Sequence, residues 1–430
     1  MSLGWFSELS RTERKTYYAC FGGLALDSMD ATMYALVLPT LIGLAMITRP
    51  EAGLMASANL IGAGIGGWLA GIAADRIGRI RVLQLTILMV AVSTAGAAFA
   101  ETPTHLLLSR VLQGLGYGGE AAVGAVLISE VIAPRLRGRV AASIQSGYAV
   151  GNAISVALMP VIFTWLPEAI AWRAFFAIGF LPALFVFFIR RFVPESAIFA
   201  EDAKRSRSRG EQTVFWEIFT GPYFRRTAAA TLFAFGLMGA AYVMITWLPT
   251  YLRTALNLPV TSTAGYLIVG LLGSFAGPLI FGQLADRLGR RKSFMLFLFC
   301  QAANVLVYTQ FSITPTVTIV QGFFLGAFQA GLASGLAPTF SELFPTRIRA
   351  NGAGFAVSAG RGFGAIVPGS VGVLSATLPL GDAMAICALS AYAIALLAAT
   401  MLPETGGADL SAADEAAVLS SAQTQAEAYP

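Results

Sequence analysis

Charge is what this 430-residue chain has least of. Asp, Glu, Lys and Arg make up only 12% of it, about half the roughly 25% of an ordinary soluble domain. Apolar residues reach 56%, so a soluble fold of this length would lack the polar side chains to cover its surface. Histidine is reduced to His105, and cysteine to Cys20, Cys300 and Cys387. One histidine makes no metal cluster, and three distant cysteines match neither a disulfide framework nor a zinc spacing. No metal and no cofactor are therefore expected. The basic residues form no stripe interleaved with aromatics, which excludes a nucleic-acid partner. No nucleophile–base pair or ATP loop is present, so the chain does not read as an enzyme. Gly62, Gly64, Gly66 and Gly67 sit inside an apolar run without the strand–loop–helix context of a nucleotide site, and suit close helix packing instead. A polytopic membrane protein remains.

A hydrocarbon core of about 30 Å needs about 20 apolar residues per helix. Twelve segments meet that length, at 18–44, 52–74, 82–100, 105–129, 140–165 and 172–191, then 226–250, 262–284, 293–311, 316–340, 351–375 and 382–402. The polar, basic opening (1–17) is expected to be a cytosolic leader before a retained helix, with no cleavable signal peptide. Placing both termini in the cytosol puts 23 of the 28 Lys and Arg residues inside, with Arg49, Arg173 and Arg253 outside and Arg110 and Arg361 within spans. That asymmetry follows the positive-inside rule and predicts a multi-pass protein of the cytoplasmic (inner) membrane.

The two halves repeat. Gly71-Ile-Ala-Ala-Asp75-Arg76-Ile-Gly78-Arg79 recurs as Gly282-Gln-Leu-Ala-Asp286-Arg287-Leu-Gly289-Arg290. Ser129-Glu130 with Arg135 and Arg137 recurs as Ser341-Glu342 with Arg347 and Arg349. Gln113-Gly114 matches Gln321-Gly322, and Pro194-Glu195-Ser196 matches Pro403-Glu404-Thr405, all at offsets of 208–212. Two six-helix bundles, 18–196 and 223–405, joined by a charged linker at 197–222, are the expected organisation. Residues 406–430 carry acids but no Lys or Arg and read as a disordered cytosolic tail. A parallel repeat of this kind places a substrate site near the midplane between the halves.

The Gly-x-x-x-Asp-Arg-x-Gly-Arg loop, present in both halves, resembles the signature of the major facilitator superfamily. Arg110-Val-Leu-Gln113-Gly114-Leu-Gly116-Tyr-Gly118 resembles that superfamily's second motif, found chiefly in proton-coupled members. The resemblance departs at Ile80, where another Arg is frequent. It departs again at 145–160, where the Gly-Pro-rich motif of drug–proton antiporters is missing. Asp27-Ser28-Met29-Asp30 resembles the Asp-Gly-x-Asp motif of metabolite–proton symporters for aromatic acids, sialate and lactate, with Ser28 in the glycine's place. Ser341-Glu342-Leu-Phe-Pro345-Thr-Arg347-Ile-Arg349, followed by Gly360-Arg361-Gly362, resembles the same branches. The resemblance implies an all-α fold of twelve transmembrane helices in two pseudo-symmetric bundles.

Asp27, Asp30, Arg110, Glu120 and Arg361 fall well within spans. A charge at the bilayer centre costs at least about 2.5–3.5 kcal/mol, so each needs a water-filled cavity or a partner. The helix rise of about 1.5 Å per residue places all five in one band across the membrane. Asp27 and Asp30 share a helical face, and two carboxylates that close resist joint ionisation. Asp27, Asp30 and Glu120 are accordingly the candidates for proton coupling, with Asp30 foremost and Arg110 as an ion-pair partner. Asp27 paired with Arg110 as plain helix–helix glue stays open. Arg361 is the one in-span cation of the second half, and a guanidinium holds a carboxylate bidentately. It is the candidate substrate ligand, unless it pairs with Asp30 or Glu120 instead. His105, at a span end, reads as interfacial.

The loop charges read as latches. Arg79, Arg137, Arg290 and Arg349 can bridge to Asp75, Glu130, Asp286 and Glu342, and the resemblance to the superfamily implies that these pairs close the cytosolic side and part when it opens. Their alternative role is to set orientation. Tyr34, Gln145, Tyr148, Asn152, Tyr242, Trp247, Gln329 and Asn304 are candidates for tuning selectivity, though aromatics in spans are commonly packing groups or interfacial anchors. Together these features point to a monomeric, proton-coupled importer of a small organic anion by alternating access, with protons and membrane lipid as its other partners. A proton-driven exporter and a non-transporting ligand sensor are the alternatives.

Overall fold

A computed structural model describes residues 4–132, 134–180, 215–311, 314–344 and 348–404. Among the described residues every regular element is helical. In chain order they are α1 (Gly4–Ser7), α2 (Arg11–Gly43), α3 (Arg49–Ile77), α4 (Arg79–Ala97), α5 (Pro103–Val131), α6 (Pro134–Trp165), α7 (Glu168–Ile178), a short 3-10 turn (Phe215–Phe219), α8 (Gly221–Thr254), α9 (Val260–Leu288), α10 (Arg290–Gln310), α11 (Pro315–Glu342), α12 (Arg349–Gly364), α13 (Ile366–Leu374) and α14 (Leu380–Met401). Nine helical segments among them are long and apolar enough to cross a membrane. The long helices α2 and α5 are not among the nine, and they are the two that carry Asp27, Asp30, Arg110 and Glu120.

Helix starts follow local chemistry. Ser10 and Glu13 form a reciprocal capping box that begins α2 within the segment expected to be a cytosolic leader. Thr48 and Glu51 form another at α3, and the Thr102 hydroxyl accepts from the His105 N–H at α5. Span eleven, expected as one helix over 351–375, is instead broken at Ala365 between α12 and α13. Pro368 supplies the reason, since it has no N–H to donate to the Gly364 carbonyl four residues back. Of span six, α7 covers the first part and 181–191 lie outside the described residues, as do 197–214 of the linker and the tail from 405.

The two copies of the loop motif share one backbone device. Gly78 (φ 103°) separates α3 from α4, and Gly289 (φ 91°) separates α9 from α10. A Cβ is disfavoured at such φ values, which accounts for the glycine in both copies.

Two compact units result. Unit 1 comprises Met1–Glu211 with Ile245–Ile268 and Pro368–Leu380; unit 2 comprises Gln212–Met244, Val269–Val367 and Gly381–Pro430. In unit 1, α5 packs against α3 at backbone distance: a Cβ on Gly118 would overlap the Ala63 carbonyl, and one on Gly66 the carbonyl of Leu115. The glycine run of α3 is thus a packing surface. Unit 1 also gathers one end of its helices. Arg253 pairs with Glu168 at 2.7 Å and donates to Thr40 Oγ1 at 2.8 Å, Arg49 donates to the Ser375 carbonyl at 3.2 Å, and Gly53 abuts Gly372. In unit 2, Phe233, Phe281, Phe294, Phe297 and Phe340 interlock, mostly edge to face, as the centre of the bundle.

Candidate functional site

In unit 1, α2 and α5 bring Asp27, Asp30, Arg110 and Glu120 into one buried cluster. Their exposures are 3%, 1%, 5% and 5%, so these groups face partners rather than an open crevice. The carboxyl groups of Asp27 and Glu120 lie against each other. Arg110 does not serve Asp27 as sequence spacing allowed; its attraction is to Asp30. The guanidinium lies over the Tyr34 ring at 4.2 Å, a cation–π arrangement, and its Nη1 donates to Gln113 Oε1. Gln113 Nε2 in turn donates to Thr94 Oγ1 at 2.9 Å, and Thr94 hydrogen-bonds the Asp30 carboxylate. Asn59 Nδ2 closes the network on the Arg110 carbonyl (2.9 Å) and Gln113 Oε1 (3.2 Å).

Between the acids lies a small cavity of about 10 Å³, lined by Asp27, Asp30, Asn59, Gln113 and Tyr117. That is about the space one water molecule needs. Asp27 Oδ2 and Asp30 Oδ1 are buried and accept no hydrogen bond among the described residues. Gly23 makes room for the other carboxyl, for a Cβ there would overlap Glu120 Oε1. Sequence reasoning missed Thr94, Asn59 and Gly23. Gln113 was visible only as part of a repeated motif, because a neutral amide or hydroxyl in a span carries no charge signal.

Unit 2 holds Arg361, half-buried on α12. Gly360 and Gly364 let α12 approach α8 at Ala234 and Gly239, and this brings Tyr242 into hydrogen-bonding contact with the Arg361 guanidinium. Gln329 (α11) and Asn304 (α10) are partly buried, with Asn304 Nδ2 donating to the Gln321 carbonyl at 3.1 Å.

The remaining polar candidates lie in unit 1. Tyr34 is buried and its hydroxyl donates to the Ala52 carbonyl at 2.8 Å. Trp247 is fully buried, with Nε1–H donating to the Pro368 carbonyl at 3.0 Å. Both therefore spend their polar atoms on helix–helix contacts. Ser28 Oγ donates to the Tyr148 carbonyl at 2.6 Å, and the Asn152 amide sits against the hydroxyls of Ser28 and Thr32. Gln145 is exposed.

Of the latch residues, Arg290 bridges Asp286 (3.2 Å) and Glu342 (3.4 Å). Arg349 Nε donates to the Phe344 carbonyl at 3.2 Å. Arg79 is partly buried at the start of α4. The side chains of Asp75, Glu130 and Arg137 lie outside the described residues. Glu404 joins this corner without having been singled out for it: its two oxygens accept the backbone N–H groups of Arg290 (2.6 Å) and Arg291 (3.2 Å). A carboxylate there also complements the positive end of α10. Its signal was present in the repeated Pro-Glu pair.

Known proteins share this architecture. The inward-open xylose transporter of E. coli superposes with a TM-score of 0.73 at 19% identity, covering 92% of this chain and 97% of that one, a likeness of fold alone. A probable 4-methylmuconolactone transporter of Cupriavidus pinatubonensis is 39% identical over 94% of this chain and 93% of its own length. The niacin transporter of Acinetobacter baylyi is 30% identical over 80% and 83%, and the sialic acid transporter of E. coli 28% over 92% and 96%. The Major Facilitator Superfamily profile matches residues 20–369. With its twelve-helix membrane fold, this chain belongs to the Major Facilitator Superfamily, a transporter fold and not an enzyme.

Proposed function

We propose that the protein imports a small organic acid anion together with protons across the cytoplasmic membrane, by alternating access. The observation that carries the reading is the Asp27–Glu120 contact. Two carboxylates held this close in a buried site resist joint ionisation, so the pair favours keeping one proton between them. The neighbouring Asp30, tied through Thr94 and Gln113 to Arg110, supplies a third acid within reach of a single water. Protons can pass along Glu120, Asp27 and Asp30, while Arg110 compensates Asp30 when it is charged.

The substrate carboxylate falls to Arg361, whose planar fork suits bidentate binding and which Tyr242 orients. Relatives named for 4-methylmuconolactone, niacin, sialic acid and cis,cis-muconate support a small organic substrate. A protonated acid and a neutralised Arg361 leave the loaded carrier nearly uncharged for reorientation, and Asp75, Arg79, Asp286, Arg290 and Glu342 latch its cytosolic face.

Uptake of labelled mono- and dicarboxylates into proteoliposomes, with and without an inward proton gradient, tests this. Accumulation above equilibrium only with the gradient is expected. Efflux favoured in whole cells points to export, and binding without flux to a sensor. Arg361→Ala and Arg361→Lys should each weaken substrate binding at least about ten-fold, in line with the 2–5 kcal/mol carried by hydrogen-bonded charge pairs; unchanged affinity in both removes Arg361 from the site.

A further inference from the structure

Unit 2 contains a second, wholly apolar recess that the transport reading does not use. It lies between α9, α10 and α11, with a volume of about 230 Å³, and its walls include Gly277, Ile280, Leu284, Leu296, Cys300 and Phe324. Ile280, Leu296 and Phe324 are exposed at its mouth. The stacked pair Phe324–Phe328 and the edge-on pair Phe297–Phe328 stiffen its inner wall.

Helical register joins this recess to two cations. Ile280, Leu284 and Arg287 follow at i, i+4 and i+7 on α9, while Lys292, Leu296 and Cys300 follow at i, i+4 and i+8 on α10, so each cation extends one wall of the recess. Arg287 and Lys292 are both exposed, and neither side chain makes an ion pair or hydrogen bond among the described residues. The acids of the same corner are engaged elsewhere: Asp286 and Glu342 meet Arg290, and Glu404 caps α10. From Lys292 to Cys300 the rise is about 12 Å, and from Arg287 to Gly277 about 15 Å. One leaflet of a hydrocarbon core is about 15 Å deep.

We propose that this recess binds an anionic phospholipid, with its phosphate on Arg287 and Lys292 and one acyl chain lying along Leu284, Leu296 and Cys300 toward the midplane. A charged rim without partners selects the headgroup, and a dry groove of one leaflet's depth takes the chain. The assignment needs only that these helices span the bilayer and is independent of what the protein carries.

Cys300 provides the probe, because Cys20 and Cys387 are buried and can be replaced by alanine. A bimane fluorophore on Cys300, in phosphatidylcholine vesicles containing a minor fraction of acyl-brominated lipid, reads which lipid occupies the groove. Brominated phosphatidylglycerol should quench more than brominated phosphatidylcholine, with an enrichment of about five-fold for each cation near the surface. Bromines in mid-chain should quench more than bromines near the headgroup. Arg287→Gln with Lys292→Gln should bring the two lipids level, and, should that pair of substitutions misfold, 0.5 M salt should lower the preference in the unsubstituted chain. Equal quenching by both lipids in the unsubstituted chain overturns the site, reducing it to ordinary annular lipid. Absence of quenching by either overturns it too, by showing the recess covered by something other than lipid, a second copy included.

Discussion

A Gly23→Ala substitution adds one methyl group at the point where α2 meets the Glu120 carboxyl. The new Cβ would overlap Glu120 Oε1, so the carboxyl must leave its place beside Asp27. Because Glu120 Oε1 is the free end of a flexible side chain, moving it aside relieves the overlap, and what is lost is its polar contact with Asp27, about 1.5–3 kcal/mol. Alanine returns about 1 kcal/mol through its better helix propensity, leaving a net loss of about 0.5–2 kcal/mol. Gly64→Ala makes the same chemical change where nothing lies within 4 Å, and should be neutral or slightly stabilising. Adding Glu120→Asp to Gly23→Ala removes a methylene where the methyl was added, and should recover part of the lost stability. Thermal unfolding in detergent measures the first effect, and proton-driven uptake in proteoliposomes the second, where Gly23→Ala should lose accumulation. If Gly23→Ala matches Gly64→Ala in both assays, Glu120 is not held against α2 and the proposed relay has lost its first member.

Asp30→Asn should abolish gradient-driven accumulation while sparing substrate exchange, and normal accumulation in that variant takes Asp30 out of the coupling. Gly289→Ala places a side chain at φ 91°, ψ 162° against the Glu404 carboxylate; a loss of about 1–3 kcal/mol from a backbone conformation essentially reserved for glycine should appear as a lower melting temperature, and a neutral result would show that the turn relaxes. Glu168→Ala should cost under about 1 kcal/mol, because that carboxylate is 48% exposed, whereas Arg253→Ala, which also loses Thr40, should cost more. Equal melting temperatures for the two would mean the Thr40 contact contributes nothing.

What was readable in the residues was whatever rests on repetition or on charge out of place. The length of apolar runs pointed to a helical membrane fold, the doubled Asp-Arg-x-Gly-Arg loop to an internal repeat, and Asp27, Asp30, Arg110 and Glu120 stood out because lipid penalises them. The pairing within that cluster was not readable. Spacing on one helix says that Asp27 and Asp30 share a face, but which of them meets Arg110 depends on how α5 is rotated against α2. That rotation is constrained by α5 glycines pressed on the backbone carbonyls of α3, a contact with no one-dimensional signature. Neutral partners such as Thr94 and Asn59 were invisible for the same reason, and the break at Ala365 was hidden because the hydropathy around Pro368 stays high across it.

The carboxylate that closes the turn before α10 comes from a residue only three places beyond the end of the last membrane helix. Shortened versions of the chain should therefore divide sharply: ending at Thr405 keeps both acceptor oxygens, while ending at Leu402 strips the first N–H groups of a helix far away in sequence. Affinity tags belong after that point, and a protease site engineered at Pro403 would report, by its rate of cutting, how firmly the turn is clasped.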